Sequence, residues 1–291
     1  MINYIKQYNN IDLMLQTTIY YSRINLVKII QDYETKDEKF VTEKIVDLIK
    51  NKDTSEVIES SHKWVFGDIE EVNGVLIAKL GKIRKRDQDT SFDYAHKKFI
   101  KIESDKEDVF MSHFLFDKKH HFFLFEERPE VGYKEINHIL TESFKRFYKR
   151  EVTIDILPNK VELDKIPKIA KRTISVKFKL RLSNPDDDED LKIMETIIKD
   201  IHASKADMKF TNEDGLDIVN SKTYRSGTAL VDRSYGDVYI DYLDKNGNLQ
   251  KFNSKKGQLK ETIPKPSSDD GWKLKLIDLH TKLLELLGKH E

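Results

Sequence analysis

The clearest alternation in the chain runs from Thr173 to Leu182, where Ile174, Val176, Phe178, Leu180 and Leu182 alternate with Ser175, Lys177, Lys179 and Arg181. A period of two sends the apolar set to one face and the basic set to the other, which predicts a half-buried strand. Other strands are expected at Ile11–Tyr21, Trp64–Ile69, Val75–Leu80, Val109–Phe116, His121–Glu126, Val152–Leu157, Met208–Phe210, Gly227–Val231, Asp237–Leu243 and Leu249–Phe252. Asn73-Gly74 and Asn246-Gly247 supply the positive φ angles of tight hairpin turns, so the strands flanking each are read as hairpins. A third hairpin turns at Asp117–His120.

Helical spacing appears in four places. Phe40, Ile45, Leu48 and Ile49 recur within 37–50. From Tyr133 to Arg150, the positions Ile136, Ile139, Leu140, Phe144, Phe147 and Tyr148 keep to one face, and Lys145, Arg146, Lys149 and Arg150 load the last turn, where the helix dipole favours cations. Asn184-Pro185 and the acids after it open a helix to about His202, with Leu191, Met194, Ile197, Ile198 and Ile201 as its expected buried stripe. The last helix, Trp272–Leu287, has two apolar faces, one with Trp272, Leu276, Leu279, Leu283 and Leu286, the other with Leu274, Ile277, Leu284 and Leu287. It is expected to be covered on two sides, by the N-terminal domain or by a second copy in a homodimer.

These elements predict an α+β chain of two domains, each a mainly antiparallel sheet with packed helices. The short bridge of 159–171, with Pro167 inside it, puts the boundary near 158–171. The expected organisation is an N-terminal α+β domain over 1–157, a second α+β domain carrying the basic strand over 172–262, and a C-terminal helix over 271–291. The length of 291 residues fits two domains.

Composition narrows the chemistry. Lys+Arg and Asp+Glu both count 51, so the net charge is zero and any electrostatic attraction must be local. With no cysteine, thiolate nucleophiles, disulfides and Cys-based metal sites are excluded. No G-x-x-x-x-G-K-[ST] or G-x-G-x-x-G loop is present, so ATP and dinucleotides have no evident cradle and no cofactor is expected. The N-terminus has no signal-peptide pattern and no window approaches the ~20 apolar residues of a membrane span, which predicts a cytoplasmic protein without membrane insertion.

Charge clusters carry what functional signal there is. Between Lys165 and Arg181 lie Lys165, Lys168, Lys171, Arg172, Lys177, Lys179 and Arg181 and no acid. Alternate strand residues repeat at roughly 6.6 Å, close to the spacing of phosphates in an extended nucleic-acid strand, so this face is a candidate backbone-tracking surface. Lys82, Arg84, Lys85 and Arg86 form a second basic stretch, and Lys251, Lys255, Lys256 and Lys260 a third. The plain alternative is a solvated strand face whose lysines guard an edge. The acidic run Asp186–Asp190 reads as a helix start rather than a metal site. Asp186 with Asp207 and Lys209 also satisfies the loose Pro-Asp…Asp-x-Lys pattern of metal-dependent nucleases, which is the enzyme alternative. His120 and His121 are read as turn residues, and His113 has no nearby carboxylate in the sequence that completes a site.

Three segments, Phe114–Glu126, Leu180–Asp187 and Asp214-Gly-Leu with Gly236–Asp241, resemble the bacterial family called domain of unknown function 4747. The succession of long basic strand, helix and strand is also similar to the phage-lambda superinfection-exclusion protein Rex A, a two-domain dimer that binds DNA with little sequence preference. The resemblance implies an antiphage role, and together with the basic strand face it leads to the expectation of a non-catalytic nucleic-acid-binding protein, with DNA favoured, in antiphage defence or a mobile element, forming a homodimer and with a second defence protein as a further partner. A Mg²⁺-dependent nuclease and a protein-protein adaptor are the alternatives.

Overall fold

The computed structural model describes residues 15–27, 38–51, 56–59, 62–85, 88–93, 97–103, 106–182 and 189–288. The chain is α+β, and its main feature is an eight-stranded antiparallel sheet. Along it lie β14 (Lys260–Pro264), β1 (Gln16–Val27), β8 (Phe122–Glu127), β7 (Glu107–Asp117), β4 (Val75–Lys85), β3 (His62–Val72) and β2 (Glu56–Glu59). The eighth strand, β9 (Glu151–Ile156), pairs with Ser22–Val27 of β1 while β14 pairs with Gln16–Tyr20, so the two lie end to end on one edge of β1. A two-stranded ribbon, β5 (Gln88–Asp93) and β6 (Lys98–Glu103), lies off this sheet.

The centre of the large sheet explains the phenylalanine-rich run of the sequence. Phe114–Phe116 and Phe122–Phe125 are all fully buried, because this sheet is covered on both faces and its central strands have no solvated side on which to alternate. On one face α1 (Glu38–Lys50) and α2 (Tyr133–Tyr148) cover Phe114, Phe116, Phe123 and Phe125. On the other, α6 (Asp269–Leu286) covers Leu115, Phe122 and Leu124 with Trp272, Leu276, Leu279 and Leu283. The final helix thus packs on the N-terminal sheet. Coverage of the second face is partial: Leu284 is buried and Ile277 and Leu287 are half-buried, while Leu274 of that face and Leu286 of the first stand exposed.

A second, four-stranded antiparallel sheet has the order β11 (Lys205–Leu216), β10 (Arg172–Arg181), β12 (Gly236–Leu243), β13 (Leu249–Asn253). One face is covered by α3 (Lys160–Ile169), α4 (Lys192–Asp200) and α5 (Lys222–Asp232), which bury Val176, Phe178, Leu180, Val238 and Ile240. Among the described residues no helix lies on the other face, which carries the basic side chains of β10.

The structure corrects four details of the sequence reading. Gly227–Val231 is helix, not strand: Ser221 caps α5 by accepting from Tyr224 N, and Gly227 lies so close to Phe178 that a Cβ there would fall 2.6 Å from the ring. Helix α5 is therefore set by a tertiary contact that overrides the weak propensities of Gly227, Thr228 and Val231. The alternation of β10 breaks at a bulge between Thr173 and Ser175, which buries these two and leaves Ile174 half-buried. In α4 the buried stripe is Leu191, Met194 and Ile198, while Ile197 and Ile201 are exposed. Strand β14 lies in a segment for which no strand was expected, and the helix start at 184–188 lies outside the described residues.

Candidate nucleic-acid interface

The uncovered face of the small sheet is built by strand register. Lys177, Lys179 and Arg181 of β10 stand opposite Lys209, Asp207 and Lys205 of β11 on one side, and Lys177 and Lys179 opposite Tyr239 and Asp237 of β12 on the other. Asp241 of β12 faces Lys251 of β13. Two like-charge pairs, Lys177 with Lys209 and Arg181 with Lys205, therefore sit directly across one strand pair, an arrangement that costs a few tenths of a kcal/mol or more each. Carboxylates offset part of this. Asp207 holds Lys177 at 3.3 Å, and Asp237 holds Lys255 at 3.2 Å. The Asp237 charge pushes the Lys255 ammonium pKa up against the opposing effect of partial burial. Lys179 lies over the Tyr239 ring at 5.9 Å. Lys179, Lys205, Lys209 and Lys251 have no ion pair among the described residues.

At the Arg181 end the open face meets the large sheet. Arg181 reaches Asp155 of β9 at 2.6 Å and donates to Thr153 Oγ1 at 2.7 Å, and Asn25 of β1 donates to both Asp155 and the Ser234 carbonyl. This network ties the two sheets together beside a cleft of about 480 Å³. Lys179, Arg181, Lys205, Asp207, Asp237 and Lys255 line it from one side, and Tyr133, Asp155, Ile156 and Pro158 from the other.

The family described as Domain of unknown function (DUF4747) matches residues 17–280, from β1 to α6, and so spans both sheets and the cleft between them. The chain belongs to this family. No curated protein matches it.

In this DUF4747 chain two of the basic stretches meet and the third stands apart: Lys251 shares the open face with the β10 row and Lys255 lines the cleft with Lys179 and Arg181, whereas the β4 stretch lies on the large sheet. Lys177, Lys179 and Arg181 share the open face, with Arg181 committed to Asp155. Lys171 and Arg172 are exposed at the opposite end of β10. Lys168 lies on α3 beside Asp164 and Arg225, on the helix-covered side of the sheet. Lys82, Arg84 and Lys85 are on β4 of the large sheet, where Lys82 pairs with Glu130 at 3.4 Å and Arg84 with Asp108 at 3.1 Å. Arg86 lies outside the described residues.

Of the nuclease set, Asp186 also lies outside them, Asp207 pairs with Lys177, and Lys209 stands on the open face. Among the described residues no group of three His, Cys, Asp or Glu side chains is arranged to hold a metal ion. Nor is any helix among them long and apolar enough to cross a membrane.

Sequence reasoning missed Lys205, Asp155 and Ser234. The alternation Lys205, Asp207, Lys209 marks the first of these as facing its basic neighbours once β11 is extended to begin at 205; the other two are brought in by contacts across the fold. His113 does have a carboxylate: Glu126, across the hairpin, lies 3.0 Å from its Nδ1. Burial raises the Glu126 pKa, but hydrogen bonds from His113 and Arg128 outweigh it and hold the carboxyl below its ordinary range. The His113 ring stacks on Trp272 at 4.3 Å, so this cluster fastens α6 to the sheet.

Proposed function

We propose that this protein binds nucleic acid without catalysis, through the open face of the small sheet, with DNA as the favoured ligand. The carrying observation is the register that sets Lys177 against Lys209 and Arg181 against Lys205 on a face that no helix among the described residues covers. Like charges held side by side on a solvated sheet are unfavourable in the free protein and favourable once phosphates lie between them. Tyr239, in the same row as Lys177, adds a ring against which a base can stack. The resemblance to Rex A noted in the sequence favours a role in antiphage defence or a mobile element, and the lack of a signal-peptide pattern favours the cytoplasm.

Binding of a labelled oligonucleotide, single- or double-stranded, followed by fluorescence anisotropy at low salt tests the reading. Lys179→Glu, Lys209→Glu, Lys251→Glu together should weaken binding by more than tenfold, while Arg84→Glu, Lys85→Glu on the large sheet should leave it within about twofold. Absence of binding by the wild type, or equal losses in both variants, contradicts it.

A further inference from the structure

We infer that the cleft between the sheets is a receptor for the terminal phosphate of a nucleotide, either the end of a strand lying on the open face or a free nucleoside monophosphate. This deepens the nucleic-acid reading and rests on it.

Charge and hydrogen bonding both point to such a ligand. Four cations line the cleft, Lys179, Arg181, Lys205 and Lys255, against three carboxylates, Asp155, Asp207 and Asp237. Asp207 is engaged by Lys177, which lies outside the cleft lining, so the local surplus approaches two positive charges. A terminal phosphate carries about −1.5 to −2 at pH 7, whereas an internal phosphodiester carries one negative charge. The dianion is therefore the better match. Arg181 is already oriented, because Asp155 and Thr153 hold its guanidinium, so little side-chain freedom is lost when an anion arrives. Its cross-strand neighbour Lys205 has no partner among the described residues and stands free to close on the same oxygens.

A second, independent observation is Ser234. It is 2 % exposed, it lines the cleft, and its hydroxyl has no hydrogen-bond partner. A buried hydroxyl left unpaired is unfavourable, and a ligand oxygen accepting from it relieves that cost. Size and lining fit the rest of a nucleotide. The volume of about 480 Å³ falls within the range of small-ligand sites, and Ile156 and Pro158 give apolar surface for the sugar or base.

The test compares oligonucleotides of one sequence ending in a 5′-phosphate, a 3′-phosphate or only hydroxyls, together with a free nucleoside monophosphate, using the full chain. A phosphorylated end should bind about tenfold tighter than the hydroxyl end, and the preference should shrink as pH falls through about 6, where the second ionisation of the phosphate is lost. Lys205→Ala should abolish the preference while Lys205→Arg keeps it; Lys205 is exposed at the start of an edge strand, so neither change threatens the fold. Competition by the nucleoside monophosphate at equal affinity assigns the site to free nucleotide, and its failure to compete assigns it to strand ends. Equal affinity for phosphorylated and hydroxyl ends, with no binding of the monophosphate, overturns the inference and leaves the sheet-face reading standing. Absence of binding to every probe overturns both.

Discussion

Asp117, at the end of β7, is predicted to be the most costly single side chain to remove from the face covered by α6. Its carboxylate is 3 % exposed and lies 2.8 Å from His120 Nδ1 and 2.8 Å from His280 Nε2, while the backbone amides of Lys119 and His120 donate to its other oxygen. Burial alone raises the pKa of this group, but the hydrogen bonds from the two histidines, with the charge of His120, outweigh it and hold the carboxyl far below the ordinary 3.8. Asp117→Ala leaves the buried His280 ring on α6 and the turn amides without their acceptor. Removing one member of a buried charged network costs about 3–5 kcal/mol, against less than about 1 kcal/mol for an exposed pair. Urea unfolding followed by tryptophan fluorescence reads this directly, since Trp272 on α6 and Trp64 on β3 are both buried. The pH dependence has a definite sign. Because the folded-state pKa is depressed, the stabilisation is in place above about 4 and is lost as pH falls below it towards the folded value. Asp117→Asn should therefore flatten the acid limb of stability. A loss below about 1 kcal/mol for Asp117→Ala, or an unchanged acid limb for Asp117→Asn, would refute the argument.

Two further outcomes follow from other parts of the fold. Gly227→Ala gains about 1 kcal/mol of helix propensity but drives a methyl into the buried Phe178 ring, an overpacking cost of about 1–3 kcal/mol, so net destabilisation of up to about 2 kcal/mol is expected in urea unfolding; a stabilised variant contradicts the packing of α5 on β10. Asp232 is pushed up to about 7, chiefly by burial and also by Asp164, against Lys160 and Arg233. A carboxyl whose folded pKa is raised costs stability as pH rises from its unfolded value towards its folded one, by up to about 4 kcal/mol, so Asp232→Asn should remove a decline between pH 4 and 7; an unaltered pH profile refutes this.

The parts of this fold that were legible in the sequence are those decided within a few residues. The Asn73-Gly74 hairpin, the stripe of α2 and the basic face of β10 all depend on local periodicity or turn chemistry, and all appear in the structure. Strand β14 was not legible, since Lys260–Pro264 is short and becomes a strand only by pairing with β1, more than 200 residues earlier. The exposure of Ile197 and Ile201 was hidden for a related reason: periodicity marks an apolar stripe but not how much of it a neighbour covers. The candidate site divides the same way. Its row of lysines is local, but the cleft exists because Asp155 and Ser234 come to Arg181 from other elements, and the partner of Arg181 cannot be read from a strand's own alternation. His280 and Asp117, 163 residues apart, are the clearest instance.

The salt dependence of binding tests the central claim most directly. Lys179, Lys205, Lys209 and Lys251 are the cations of the open face without an ion pair among the described residues, and neutralising about four phosphates gives a slope of log K against log salt near −3 on single strands, or −3.6 on duplex. Replacing Lys179, Lys209 and Lys251 with Ala should reduce that slope to about −1. A wild-type slope near zero, or one that the three replacements leave unchanged, would contradict the assignment of this sheet face to nucleic acid.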